Sequence, residues 1–341
     1  MTLIPLPAQP ADTPWPTQAW PQGDLLTGPV ADTLDAAFAP ESLDPIGRTD
    51  ALLLIQGGRI VYERYGEGLD ETSTFPSWSK AKSITQALTG LLVGDGKVDI
   101  HAPADVPEWQ TPDDPRGAIT LDQLLRMSSG LAFVEEYSPG NPSDVIEMLF
   151  GKGQGDTAAY AADKPLIHAP GAVMSYASGT TNIVARALAR SIDVFGPDFE
   201  AFMRRRLFAP LGMTSAAPKF DEAGTFIGSS YCFATARDFA RFGLLYLRGG
   251  VWEDRPFLPA GWADYARTRT ASKDDPADPY GAHWWLGLGG PGSFSANGYE
   301  GQYTVLVPDL DLILVRHGGT PLDLKDALRG WIGGVVEGLR G

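Results

Sequence analysis

The sequence predicts an α+β chain. One antiparallel sheet, flanked by helices, is built from both chain termini, and an all-helical domain is inserted between its two halves. Three observations carry this expectation. Residues 51–65 hold two apolar runs, ALLLIQ and RIVYERY, around Gly57-Gly58, which is a hairpin signal. Residues 281–288, 301–307 and 310–316 read as further strands close to the other end of the chain. The segments between them carry helical rather than alternating periodicity, so the strands of both ends must meet in one sheet.

The elements follow in order. Residues 1–50 read as an N-terminal arm, and its first twenty residues, rich in Pro and Thr, are expected to lie extended over the surface. Residues 51–105 and 276–341 are expected to form the sheet domain, and 106–275 the mostly helical insertion. A helix opens at Ser79, shows apolar Ile84, Ala87, Leu88, Leu91 and Leu92 on one face, and ends near Gly94-Asp95-Gly96. Pro103 to Pro115 reads as a connection. Thr120 is an N-cap for a short helix reaching Met127. Residues 128–155 are loop-rich, with a helical piece from Ser143 to Phe150. Helices are expected over 180–195, 198–211 and 236–247, the last with Thr235 as N-cap and Gly249-Gly250 past its end. A final helix spans about 322–339. No internal repeat is present.

Composition narrows the function. A chain of 341 residues can bury a full core. Its 42 acidic residues against 27 basic ones give a formal charge of −15, which disfavours nucleic acid and anionic membranes as partners. A single cysteine, Cys232, leaves no intrachain disulfide framework and fits a reducing compartment, where it serves as core filler. The N-terminus lacks a basic start followed by an apolar core, and no run approaches 18 apolar residues. The expected location is the cytoplasm.

The residues that carry chemistry begin with Ser79-Lys80-Ala81-Lys82, an S-x-x-K tetrad. Positions three apart share a helix face, so the Ser79 hydroxyl and Lys82 amine can converge in the first turn, beside the positive end of the helix dipole. A serine hydroxyl needs a base to become a nucleophile, and a lysine becomes that base when burial lowers its pKa. The overlapping match Ser77-Trp78-Ser79-Lys80 is the weaker one. Ser77 precedes the periodic stretch, and Lys80 is expected to point off its apolar face. The histidines at 101, 168, 283 and 317 lie in separate segments without metal-ligand spacing and read as structural, and no G-x-S-x-G elbow is found. No metal is expected.

Three motifs in order resemble those of the penicillin-recognising serine hydrolases. Ser79-Lys80-Ala81-Lys82 is similar to the first. Tyr176-Ala177-Ser178 is similar to the Y-x-N or Y-x-S second motif. Ala296-Asn297-Gly298 sits where the Lys/His-Thr-Gly third motif is expected. The stretch Leu125 to Leu131 resembles the family's LLxHTSGL, and His168-Ala169-Pro170-Gly171 its approach to the tyrosine. Tyr299-Glu300-Gly301-Gln302, followed by Pro308, resembles its turn into the last strands. The likeness runs from about residue 50 onward and implies a β-lactamase/DD-peptidase-like fold. It is nearest to the branch of 6-aminohexanoate-dimer hydrolases and family VIII esterases, in which a tyrosine from the loop after SGL covers the substrate. Tyr137 matches that position.

The resemblance implies the following roles. Ser79 attacks a carbonyl and forms an acyl-enzyme. Lys82 and Tyr176 handle the proton, as a neutral amine or a phenolate. Backbone N–H groups of Ser79 and Tyr299 form an oxyanion hole. Tyr137, Ser178, Asn297 and Gly298 contact substrate. No cofactor is called for. The expected partner is a small-molecule amide or ester, with homodimerisation left open. Two residues stand out from the pattern. Ala296 replaces the cation of the third motif, which predicts weak turnover of β-lactams and cell-wall peptides. Glu300 lies next to the proposed hole, either turned away or recognising a substrate ammonium. Trp284-Trp285 either packs the sheet or walls the pocket. The implied function is hydrolysis of small linear amides or esters. The alternatives are a carboxylesterase with weak β-lactamase activity and a silent binding module of the same fold.

Overall fold

The computed structural model describes residues 3–40, 43–138, 140–272 and 279–341. Strands β1 (Arg48–Gln56) and β2 (Arg59–Tyr65) form the expected hairpin. Gly57 and Gly58 turn it with φ of 57° and 73°, the pair of positive values that a two-residue type I′ turn needs. The other strands come from the far end of the chain: β3 (Trp285–Leu286), β4 (Phe294–Gly298), β5 (Gln302–Val307) and β6 (Leu312–Gly319). Their order is β2-β1-β6-β5-β4-β3, every neighbour antiparallel, with β1 paired along its length to β6.

The apolar run of β1 is continuous rather than alternating because both faces of the sheet are covered. Leu53 and Ile55 enter the larger core, and Leu52 and Leu54 the smaller core beneath the C-terminal helix. Four helices matter for the site: α1 (Ala81–Gly94), α2 (Ser178–Ser191), α3 (Ala236–Leu247) and α4 (Lys325–Arg340). Helix α1 was expected to bury one face. It buries every residue from Ala81 to Leu92, with α2 and the segment Arg204–Phe208 packed against it. Gly90 lets the Trp262 indole reach its backbone: a Cβ there would lie 2.4 Å from Trp262 Nε1.

Helix α3, capped by Thr235 as expected, falls in the segment read as insertion, yet it lies on the sheet. Its Gly243 meets Leu306, Thr304 and Ile313. The expected boundary between residues 275 and 276 lies outside the described residues. Three further differences stand out. The expected strand over 281–288 shrinks to β3, interrupted by Gly287 in the left-handed region. Strand β4 was not expected, since Ser-Ala-Asn-Gly carries no apolar alternation. The N-terminal arm is extended over much of its length and pairs with β2 through Gly23 and Leu26, but it also contains a helix, Pro29–Ala36. Among the described residues, no helix is long and apolar enough to cross a membrane.

Candidate active site

Ser79 does not open α1 directly. It sits in a 3₁₀ turn, Trp78–Lys80, that runs into the helix. Trp78 has φ 42°, a left-handed conformation costing about 1–2 kcal/mol for a residue of this kind. Ser77 holds the strained turn in place. Its Oγ accepts from Cys232 N at 2.9 Å and donates to Ser230 O at 3.1 Å, and its N–H donates to Cys232 O at 3.1 Å. Ser77 is therefore a buried anchor for the turn, while Ser79 lines the cleft. Lys80 departs from expectation: it is fully buried rather than turned outward.

Lys82 reaches the nucleophile. Its Nζ donates to Ser79 Oγ at 3.0 Å, to Ser178 Oγ at 2.9 Å and to Ser229 O at 2.9 Å, which uses all three donors of an ammonium. Burial lowers its pKa to about 8, against the attraction of Glu135, which raises it. Tyr176 completes the group. Its ring lies 4.8 Å from Lys82 Nζ, and it lines the same cleft as Ser79. Burial pushes the phenol well above its ordinary value, so a phenolate is strongly disfavoured here.

Glu135 was missed in the sequence. Its carboxylate accepts from Ser178 N at 2.7 Å, from Ser178 Oγ at 2.6 Å and from the Tyr137 hydroxyl at 2.5 Å. It is thus one hydroxyl removed from Lys82. The only signal was its position two residues before Tyr137, in a loop otherwise read for its aromatics. The Tyr137 ring stacks on Tyr299 at 5.0 Å.

The third motif lies along the edge of the sheet. Gly298 packs so close to the nucleophile turn that a Cβ would lie 2.4 Å from Ser77 O, which is why a glycine ends β4. Tyr299 follows, and then Glu300 with φ 57°. The Glu300 carbonyl accepts from Thr320 N at 3.0 Å and Arg316 Nη1 at 3.2 Å, fixing this second left-handed residue. Ala296 is buried beside Thr304 and brings no cation to the cleft.

A cleft of about 350 Å³ joins these parts. Ser79, Glu135, Tyr137, Tyr176, Asn297, Tyr299 and Glu300 line it. The tryptophan pair divides its work. Trp285 walls the cleft, 5.0 Å from the Tyr176 ring, while Trp284 is buried against Tyr246 and Phe242. At the far side, Lys325 and Arg329 of α4 give the cleft a charged rim. Ser178 is drawn into the site through Lys82 and Glu135 rather than along the cleft wall. Asn297 Oδ1 is buried without a partner. His283 is structural, as expected: it bridges Leu125 O and Thr181 Oγ1, and burial holds its pKa near about 3.

The chain is similar to proteins already known. The beta-lactamase family profile matches residues 47–319. A 6-aminohexanoate-dimer hydrolase of Paenarthrobacter ureafaciens is 25% identical over 303 residues, covering 80% of this chain and 73% of the relative. Among solved structures, a Bacillus anthracis protein described as a 6-aminohexanoate-dimer hydrolase superposes with a TM-score of 0.78 at 20% identity, over 99% of this chain and 91% of its own. A family VIII carboxylesterase gives 0.68 at 14% identity, over 92% and 99%. At such identities these structures show the shared fold.

Proposed function

Since the chain belongs to the beta-lactamase family and is a serine hydrolase, we propose that it cleaves small linear amides and esters through an acyl-enzyme on Ser79. The observation that carries this is the Lys82 amine. It is fully buried, lies 3.0 Å from Ser79 Oγ, and is depressed to about 8, within reach of the free-base form at neutral to mildly alkaline pH.

The steps follow from that geometry. Neutral Lys82 takes the Ser79 proton as Oγ attacks the carbonyl carbon. The carbonyl oxygen gains charge between the N–H groups of Ser79 and Tyr299, where each donor contributes about 3–4 kcal/mol. The Tyr176 phenol, beside Lys82 and lining the cleft with Ser79, passes the proton from Lys82 to the leaving nitrogen or oxygen; as a neutral phenol it both donates and accepts. Water then attacks the acyl carbon, with the same amine taking its proton; the bond to Ser79 Oγ breaks, the amine returns the proton to Oγ, and the acid leaves. Of the two bases considered from the sequence, amine and phenolate, the buried site favours the amine.

The substrate class rests on the cleft. Aromatic rings of Tyr137, Tyr176, Trp285 and Tyr299 suit a slender acyl or alkyl chain, and the Tyr137 hydroxyl can turn from Glu135 to a leaving amide nitrogen. The name of the Paenarthrobacter relative, a dimer hydrolase, supports the linear amide reading. The family VIII fold neighbour keeps the ester reading open. With Ala296 in place of a cation, β-lactam turnover is expected to be slow. The test is a panel of a p-nitrophenyl ester, a linear amide sharing its acyl group, and nitrocefin. The reading expects amide and ester turnover well above nitrocefin. Rapid nitrocefin hydrolysis with inert amides would overturn the substrate class.

A further inference from the structure

Two buried groups take no part in the chemistry above, yet both adjoin it. Lys80 follows the nucleophile directly. Its Nζ has His317 Nε2 at 3.2 Å, Thr304 Oγ1 at 3.4 Å and the Phe239 ring at 3.4 Å, and among the described residues no carboxylate pairs with it. A buried lysine without a counter-charge is costly to retain for packing alone. His317 lies between Phe75, stacked at 4.5 Å, and Phe239 at 5.0 Å.

The hydrogen-bond directions can be assigned in sequence. Gln302 Nε2 donates to Gly318 O at 2.6 Å and to Glu300 O at 3.3 Å, so its Oε1 faces His317. His317 Nδ1, 3.0 Å from that oxygen, must carry the proton. Its Nε2 is then bare and accepts from Lys80. Burial disfavours protonation of both groups, in keeping with this neutral arrangement. The result is one directed path: Lys80 to His317, His317 to Gln302, and Gln302 to the carbonyl of Glu300. It starts one residue after Ser79 and ends one residue after Tyr299.

We propose that Lys80, His317 and Gln302 form a positioning relay that fixes the separation of the Ser79 and Tyr299 backbone N–H groups. This rests on the reading of those two groups as the oxyanion hole. Both are carried on strained turns, with Trp78 left-handed before the first and Glu300 left-handed after the second. Gly298 against Ser77 gives the turns one contact, about which they could still pivot. The relay supplies a second, on the far side of both donors. Lys80 and His317 touch no substrate; they act through the backbone they hold.

The test compares Lys80→Met with the double variant Lys80→Met/His317→Phe. The single change leaves His317 Nε2 unpaired. The double change removes donor and acceptor together and places an aromatic ring between Phe75 and Phe239. Ester turnover, Tm and inhibition by a phenylboronic acid, whose tetrahedral adduct places an oxygen in the hole, are measured for each. Complete loss of one donor costs roughly 10²–10³-fold, so a displaced donor is expected to cost about 10-fold in kcat, with KM within about twofold. Boronic acid affinity is expected to fall by the same factor as kcat/KM. The double variant is expected to regain Tm without regaining kcat. Recovery of kcat together with Tm, or wild-type kcat and boronate affinity in the double variant, overturns the relay. Fluorophosphonate labelling of the wild type separates the two readings. No label on Ser79 overturns the nucleophile and the relay with it; a labelled Ser79 with unchanged variants overturns the relay alone.

Discussion

Replacing Glu135 by Gln removes a charge beside the proposed base while keeping the side chain's shape. The Lys82 Nζ donates to Ser178 Oγ at 2.9 Å, and that hydroxyl donates to Glu135 Oε1 at 2.6 Å. Opposite charges about 5 Å apart attract by roughly 3 kcal/mol at an effective dielectric of about 20. That is worth roughly two pH units in the amine's pKa. Burial already brings Lys82 down to about 8 against this attraction. Without it, the ammonium is held less firmly, and the amine loses its proton nearer about pH 6. The free base is the active form, so activity rises with pH through the amine's pKa. In Glu135→Gln that rise is expected roughly two pH units lower. The plateau is expected to drop by about 10-fold, because the new amide NH₂ must face either the Ser178 N–H or both hydroxyls, of Tyr137 and Ser178, that donate to the one carboxylate oxygen Oε1. The assay is kcat/KM for a p-nitrophenyl ester from pH 5 to 10 in both proteins. An acid limb that stays in place while the plateau falls would refute the electrostatic reasoning and leave Glu135 as a steric brace.

Three further outcomes are expected. Ser79→Ala abolishes ester turnover, whereas Ser77→Ala keeps it and loses about 1–3 kcal/mol of stability in a denaturant titration, since Cys232 N is left without its acceptor; a dead Ser77 variant with a normal melt would place the nucleophile wrongly. Lys82→Ala and Tyr176→Phe each lower kcat at least ~10²-fold, and the double variant costs far less than the product of the two, because one proton path serves both. Tyr137→Phe lowers kcat/KM for an amide about 5- to 150-fold more than for the ester sharing its acyl group, as one hydroxyl donating to a leaving nitrogen is worth roughly 1–3 kcal/mol; equal losses on both would make Tyr137 a binding residue.

The parts legible in the sequence were those fixed by local chemistry. The Gly57-Gly58 turn, the Thr235 cap of α3 and the Thr120 cap of the short helix after it each follow from backbone groups satisfied within a few residues. The spacing of Ser79 and Lys82 is equally local, and the two meet as one helix face requires. What stayed hidden depends on residues far apart in the chain. Strand β4 exists because β5 offers it a partner, not because Ser-Ala-Asn-Gly favours a strand. Lys80 looks like a surface lysine until β5, β6 and α3 close over it with Thr304, His317 and Phe239. Glu135 joins the site through Ser178, 43 residues away, a link that no local pattern records.

The most direct test of the account is mass spectrometry of the protein after brief exposure to a fluorophosphonate, with fragmentation to locate the adduct. The account predicts a single adduct on Ser79 in the wild type. It predicts slower labelling in Lys82→Ala, labelling in the wild type that quickens as pH rises toward and through about 8, and none in Ser79→Ala. An adduct on Ser77, Ser178 or Ser229, or full labelling of the Ser79→Ala variant, would contradict it.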